Sequence, residues 1–116
     1  LCVSDGTNTV TRIIEKGYAT ITDSNSPYTT VAGAQILANT TTNPITIVLP
    51  ASPAVGDEVS IIDTRGTFGS NNLIVDRNGQ PINTGTSNLT LTTNGQSITL
   101  VYVDSTRGWA YKTNTA

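Results

Sequence analysis

Apolar and polar side chains alternate along this chain in short runs, each closed by glycine, proline, asparagine or aspartate. The clearest pair of runs lies in residues 45–63, ITIVLPASPAVGDEVSIID, where two β-branched stretches flank a segment carrying Pro50, Pro53 and Gly56. Both stretches have strand composition. The prolines lack a backbone N–H and cannot extend a central ladder, so the chain must turn between them. Asp57 and Glu58 follow Gly56, where the next strand leaves the turn and meets water, a place where charge is easily solvated.

The same reading applied along the whole chain gives a series of short strands. An Asp5-Gly6 turn signal precedes TVTRIIE, a first strand; after a break at Lys16-Gly17 comes YATIT, and DSNSP ends the pairing at Pro27. YTTVA and QILAN are parted by Gly33, and the turn cluster TTTNP leads into ITIVLP. After VSIID a loop rich in glycine, asparagine and serine, TRGTFGSNN, precedes a strand at residues 73–75. Asn78-Gly79 and Asn94-Gly95 each predict a tight hairpin, because both residue types tolerate positive φ; the second is expected to join LTLT to SITLVYV. Residues 97–103 form the most apolar strand, with Ile98, Leu100 and Tyr102 on one face and Thr99, Val101 and Val103 on the other. That strand is expected to be central and covered on both sides. DSTRG then turns the chain at Gly108 into WAYK.

No window holds a helical apolar period, so helix content should be near zero. Short strands separated by turn signals predict an all-β fold, a small antiparallel β-sandwich or barrel-like domain with an extended N-terminal arm. Residues 1–26 read as that arm, either packing on a neighbouring chain or forming an ordinary edge hairpin, and residues 27–116 read as the β-module. There is no convincing internal repeat.

Composition narrows the function. The 116 residues suit one domain. Cys2 is the only cysteine, which rules out an intrachain disulfide and a cysteine-built zinc site, and there is no histidine or methionine. Since Leu1 is not a translation start, the chain is expected to be processed or an excerpt of something longer. Residues 1–22 contain no apolar run of membrane-spanning or signal-peptide length. With 6 basic and 8 acidic side chains the net charge is -2, and Arg12, Lys16, Arg65, Arg77, Arg107 and Lys112 stand singly, so nucleic acid is not an expected partner. No membrane partner is expected either. Abundant Thr, Asn, Ser and Gly instead give faces that hydrogen-bond without ionising, a surface compatible with a durable extracellular or virion protein.

Without histidine, the Ser-His-Asp and Cys-His catalytic arrangements and imidazole metal sites are excluded. A glycosidase needs only two carboxylates, and Asp57, Glu58, Asp63, Asp76 and Asp104 are the candidates. Each sits at a turn or strand end, and Asp57 and Glu58, as neighbours in a strand, point to opposite faces. No enzyme activity, cofactor or metal is expected. Asp76-Arg77-Asn78-Gly79 resembles the start of a calcium loop, but the run of oxygen ligands does not continue. Gly66, Gly69 and the asparagines beside them lack the strand and helix of a phosphate cradle. Asn39-Thr40-Thr41 and Asn88-Leu89-Thr90 match a glycosylation pattern that Thr-rich sequences hit by chance. Trp109 and Tyr111, on one strand face, are candidates for a sugar platform with Asn71 and Asn72, set against the plainer role of closing the core.

Several features occur together and in order: the apolar strand into LPASP, the V-G-D step, the G-T-F loop followed by NNL, then R-N-G, and LVYV leading into a G-W close. In this the chain resembles a module of tailed-bacteriophage virion proteins, over residues 28–112. The resemblance implies a β-sandwich-like unit without catalytic residues, commonly trimeric. Such modules occur in tail fibres, baseplate-associated proteins and other surface projections of the particle. The expectation is therefore a structural virion protein for assembly and host attachment, a homotrimer in contact with other virion proteins and with a host surface glycan. The alternatives are a capsid decoration protein, of cement or head-fibre type, and a carbohydrate-binding module. No family binding residues carry over, because the shared motifs are turns and core strands.

Overall fold

A computed structural model describes Ile14–Glu15 and residues 18–115, which are almost entirely strand and loop. In chain order the strands are β1 (Ile14–Glu15), β2 (Tyr18–Ile21), β3 (Tyr28–Thr29), β4 (Gln35–Ala38), β5 (Ile45–Val48), β6 (Glu58–Asp63), β7 (Leu73–Asp76), β8 (Leu89–Leu91), β9 (Ser97–Asp104) and β10 (Gly108–Thr115). A single 3-10 turn, Asp23–Asn25, stands for all the helix among the described residues, and no helix is long and apolar enough to cross a membrane.

The strands form two mixed sheets, one of six strands in the order β10-β9-β6-β4-β2-β1 and one of four in the order β3-β5-β7-β8. From β2 to β7 the chain passes from one sheet to the other at every step. Strands adjacent in sequence therefore do not pair; each pairs in parallel with the strand two steps on. The registers place Tyr18 beside Gln35 and Gln35 beside Ser60 in the larger sheet, and Ile45 beside Leu73 in the smaller. Only at the ends of the coil does pairing become antiparallel, in β1–β2, β7–β8, β6–β9 and β9–β10. The all-β expectation holds, but an antiparallel one does not. Its error has a physical origin: glycine and asparagine specify that the backbone bends, not which sheet the next strand joins.

Burial follows the strand period. In β5, Ile45 and Ile47 are buried while Thr46 and Val48 are half-buried; in β6 the buried positions are Val59, Ile61 and Asp63. Inward rows such as Ala19, Ile36, Ile61 and Ile98 run across the larger sheet, and Ile45, Leu73 and Leu91 across the smaller. Both rows belong to one apolar cluster that also takes in Phe68 and Trp109. Alternation therefore predicted which side chains are inside, since a slip of one residue would turn every one of them to the other face.

Both predicted Asn-Gly hairpins need correction. At Asn78-Gly79 the backbone does turn with two positive φ values, 49° and 91°, closed by the Gln80 N–H donating to the Arg77 carbonyl at 3.2 Å. However, β7 pairs with β8, so the turn opens a long excursion over residues 77–88. At Asn94-Gly95 only Gly95 has positive φ, 79°, and the turn carries the chain from β8 in the smaller sheet to β9 in the larger. Strand β9 is flanked by β6 and β10, as expected of an interior strand. It is fully buried on one face only, with Thr99, Val101 and Val103 half-buried.

Of the N-terminal expectations, Asp5-Gly6, Cys2 and most of TVTRIIE lie outside the described residues. Ile14–Glu15 pairs antiparallel with β2 at the edge of the larger sheet, and β2 contributes Ala19 and Ile21 to the core.

Candidate functional site

Because β2, β4 and β6 are parallel neighbours, the chain leaves all three at the same end of the larger sheet. The exits are stitched together by backbone bonds: Asn39 N–H donates to the Ile21 carbonyl at 2.9 Å and Thr64 N–H to the Ala38 carbonyl at 3.0 Å. An open groove of about 390 Å³ lies across them, lined by Thr22 and Asp23 after β2, Asn39, Thr41 and Thr42 after β4, and Arg65 after β6. The Asn39 Oδ1 accepts from both the N–H and the hydroxyl of Thr41, at 3.0 and 2.6 Å, and the Asn43 Nδ2 donates to the Asp23 Oδ2 at 2.6 Å. Among the described residues, the Arg65 guanidinium makes neither an ion pair nor a hydrogen bond; the ion pair found there joins Lys112 to Glu58 at 3.0 Å.

Directly beside the groove, the end of β6 is held by Asp63, whose side chain points inward and is 6% exposed. Its Oδ1 accepts from the N–H groups of Arg65 and Thr67, at 3.3 and 3.1 Å, and its Oδ2 from those of Phe68 and Gly95, at 3.0 and 2.9 Å. Burial works to raise the Asp63 pKa, and the backbone donors from Gly95, Phe68, Thr67 and Arg65 outweigh it, leaving the carboxyl below its ordinary value. One carboxylate thus fixes the loop that presents Arg65 and pins the corner at Asn94-Gly95 to it. Its four donors leave it a structural anion with no free face toward a substrate.

The other candidate carboxylates are each engaged by one or two donors. Asp57 Oδ2 accepts from the Ala54 N–H at 2.8 Å in the turn bearing Pro53 and Gly56, and Glu58 pairs with Lys112 on the outward face. Asp76 Oδ1 accepts from the Asn78 N–H at 2.9 Å, and Asp104 Oδ1 from Thr106 and Arg107 at 3.0 and 2.7 Å. No two of them are joined by a hydrogen bond, and among the described residues no group of three acidic or thiol side chains could hold a metal ion.

Sequence-predicted sugar contacts are not brought together. Trp109 is 0% exposed and packs edge-on against Tyr102 with ring centroids 5.6 Å apart, so it closes the core. Tyr111, 38% exposed, lies two positions further along the edge strand β10. The Asn71 Nδ2 donates to the Thr40 and Thr41 carbonyls at 2.8 and 3.2 Å, and the Asn72 Nδ2 to the Phe68 carbonyl at 2.6 Å, so both amides brace loops. The turn residues act as turns: Gly56 has φ 93°, Pro50 lies just past β5, and Asn78 ties its turn to the Leu49 carbonyl at 3.0 Å. Gly108, at φ 73°, lies so close to the Pro81 carbonyl that no side chain fits. The groove residues carried no motif. The one legible trace was that ITD, ANTTT and IDTR each follow an alternating apolar run with a polar cluster. Comparison with protein-family models and with curated proteins returns no match to this chain.

Proposed function

We propose that this chain is a non-catalytic structural module of a tailed-bacteriophage virion, a fibre, baseplate or tail-associated unit that assembles as a homotrimer with other virion proteins and turns its loops toward the host. The observation that carries the reading is the employment of the carboxylates. Asp57, Asp63, Asp76 and Asp104 each cap a turn or loop, and Glu58 holds Lys112, so the chemistry-bearing side chains serve rigidity. The ordered hallmarks from LPASP to the G-W close support the virion part of the reading. In it the two sheets, which share one core, act as a sandwich-like unit. The outward face of the larger sheet, where half-buried Leu37, Ile62 and Val101 stand beside the hydrogen-bonded Ser60 and Thr99 and the Glu58–Lys112 pair, is the strand face available for association.

Light scattering on the size-fractionated chain tests this. A stable particle with the mass of three chains is expected. A monomer whose N-terminal segment is readily cut by protease would favour the capsid-decoration alternative, in which that segment orders only on a lattice. A map of the intact particle that places the chain on tail or baseplate would separate the two directly.

A further inference from the structure

We propose that the groove across the exits of β2, β4 and β6 binds an acidic saccharide, with Arg65 taking the carboxylate and Asp23, Asn39, Thr41 and Thr42 taking ring hydroxyls. Every lining side chain is polar or charged, with apolar surface only from threonine methyls and the Arg65 stem, which favours a ligand that hydrogen-bonds around its perimeter over a purely apolar one. A volume of about 390 Å³ lies at the lower end of the range for small-molecule sites.

Charge decides the ligand class. Arg65 stands at the exit of β6 and Asp23 at that of β2, with the exit of β4 between them; parallel strands about 4.8 Å apart put the two roughly 10 Å from each other. The guanidinium, unpaired among the described residues, offers a planar fork that matches a carboxylate in two hydrogen bonds. Asp23 offers an acceptor suited to hydroxyl donors and opposes a second anion at its end. A sugar acid is negative at one end and rich in hydroxyls elsewhere, which meets both demands. A nucleotide would instead find no aromatic ring to stack on.

The groove is also preorganised. Because the Asn39 Oδ1 already accepts twice from Thr41, its NH2 group is left as a donor with no partner among the described residues. Asn43 holds the Asp23 carboxylate, and Asp63 fixes the turn that carries Arg65. The exposed Arg65 side chain must still be ordered on binding, and there is no aromatic platform, so each groove should bind weakly, on the order of 1 mM. Several linked copies would raise that through effective concentration. This inference supplies a ligand for host-facing loops but does not require the trimer, and the two fail separately: a monomeric chain that still binds would sink only the assembly reading.

The test is an amide NMR titration of the full chain with digalacturonate, N-acetylneuraminic acid, neutral galactobiose and inorganic phosphate. Expected are shifts at Thr22, Asp23, Asn39, Thr41, Thr42 and Arg65 with at least one acidic sugar, and at least about tenfold weaker binding of galactobiose and phosphate. Arg65→Gln, an exposed change whose spectrum reports its own folding, should weaken the acidic sugar about tenfold. Shifts absent with both acidic sugars, or centred elsewhere, would overturn the proposal. So would phosphate binding as tightly as the sugar acids, which would mark a simple anion site, or an Arg65→Gln variant of unchanged affinity.

Discussion

A buried carboxylate surrounded by backbone donors is stable only while it is charged, and Asp63 is such a group. In Asp63→Asn one acceptor oxygen becomes an NH2 that faces N–H groups, leaving buried donors unsatisfied. The loss should be about 3 kcal/mol near neutral pH, measured by denaturant unfolding. The pH dependence has a definite sign. The folded-state pKa lies below the ordinary value of 3.8, so the contribution of this group is complete above that value and is lost as pH falls through it toward the lower folded-state pKa. The gap between wild type and variant should therefore be constant near neutral pH and narrow as pH falls below about 4. A gap independent of pH would mean that the donors do not act through the charge. Gly108 makes a second prediction at this scale. An alanine there would need positive φ and would drive its Cβ into the Pro81 carbonyl, which accepts from the Trp109 N–H at 2.9 Å. Gly108→Ala should lower stability by about 3 kcal/mol or more.

At the scale of elements, the excursion over residues 77–88 explains how Trp109 comes to be buried on an otherwise exposed edge strand. Asn83 and Thr84 donate to the Trp109 and Arg107 carbonyls at 2.7 and 2.9 Å, and the Tyr102 hydroxyl donates to Gln80 Oε1 at 3.0 Å, so the loop is laced to the β9–β10 hairpin. Removing the Gln80 side chain by Gln80→Ala leaves that hydroxyl without its partner. It should loosen this loop by about 1 kcal/mol, read as faster amide exchange at Asn83 and Thr84 with β4 and β6 unchanged. Nothing in NGQPINTGTS announced this lacing, since it depends on residues far away in sequence. What the sequence did disclose was local: strand positions, inward faces and the bend at each glycine. Parallel pairing and the groove were hidden for a single reason, namely that both arise from which strands become neighbours. Asn39 and Arg65 share a groove only because Ala38 pairs with Asp63.

Across the whole molecule, charge contributes little to cohesion. Eight acidic and six basic side chains yield one ion pair among the described residues, Lys112 with Glu58, and its side chains are 54% and 39% exposed. Exposed pairs of this kind contribute at most about 1 kcal/mol and are screened by salt. The cohesion instead comes from a single apolar cluster shared by the two sheets, and burial of that kind is not weakened by added sodium chloride. The unfolding free energy should thus change by less than about 1 kcal/mol between roughly 0.05 M and 1 M sodium chloride at neutral pH. If a steep loss with salt were measured in denaturant melts, ion pairs would be carrying the fold and the reading of the surface as a hydroxylated, largely uncharged shell would fail. The same experiment separates cohesion from recognition. Saccharide binding at Arg65 should weaken over that salt range while the fold does not, because a solvent-exposed guanidinium is screened and the interior is not.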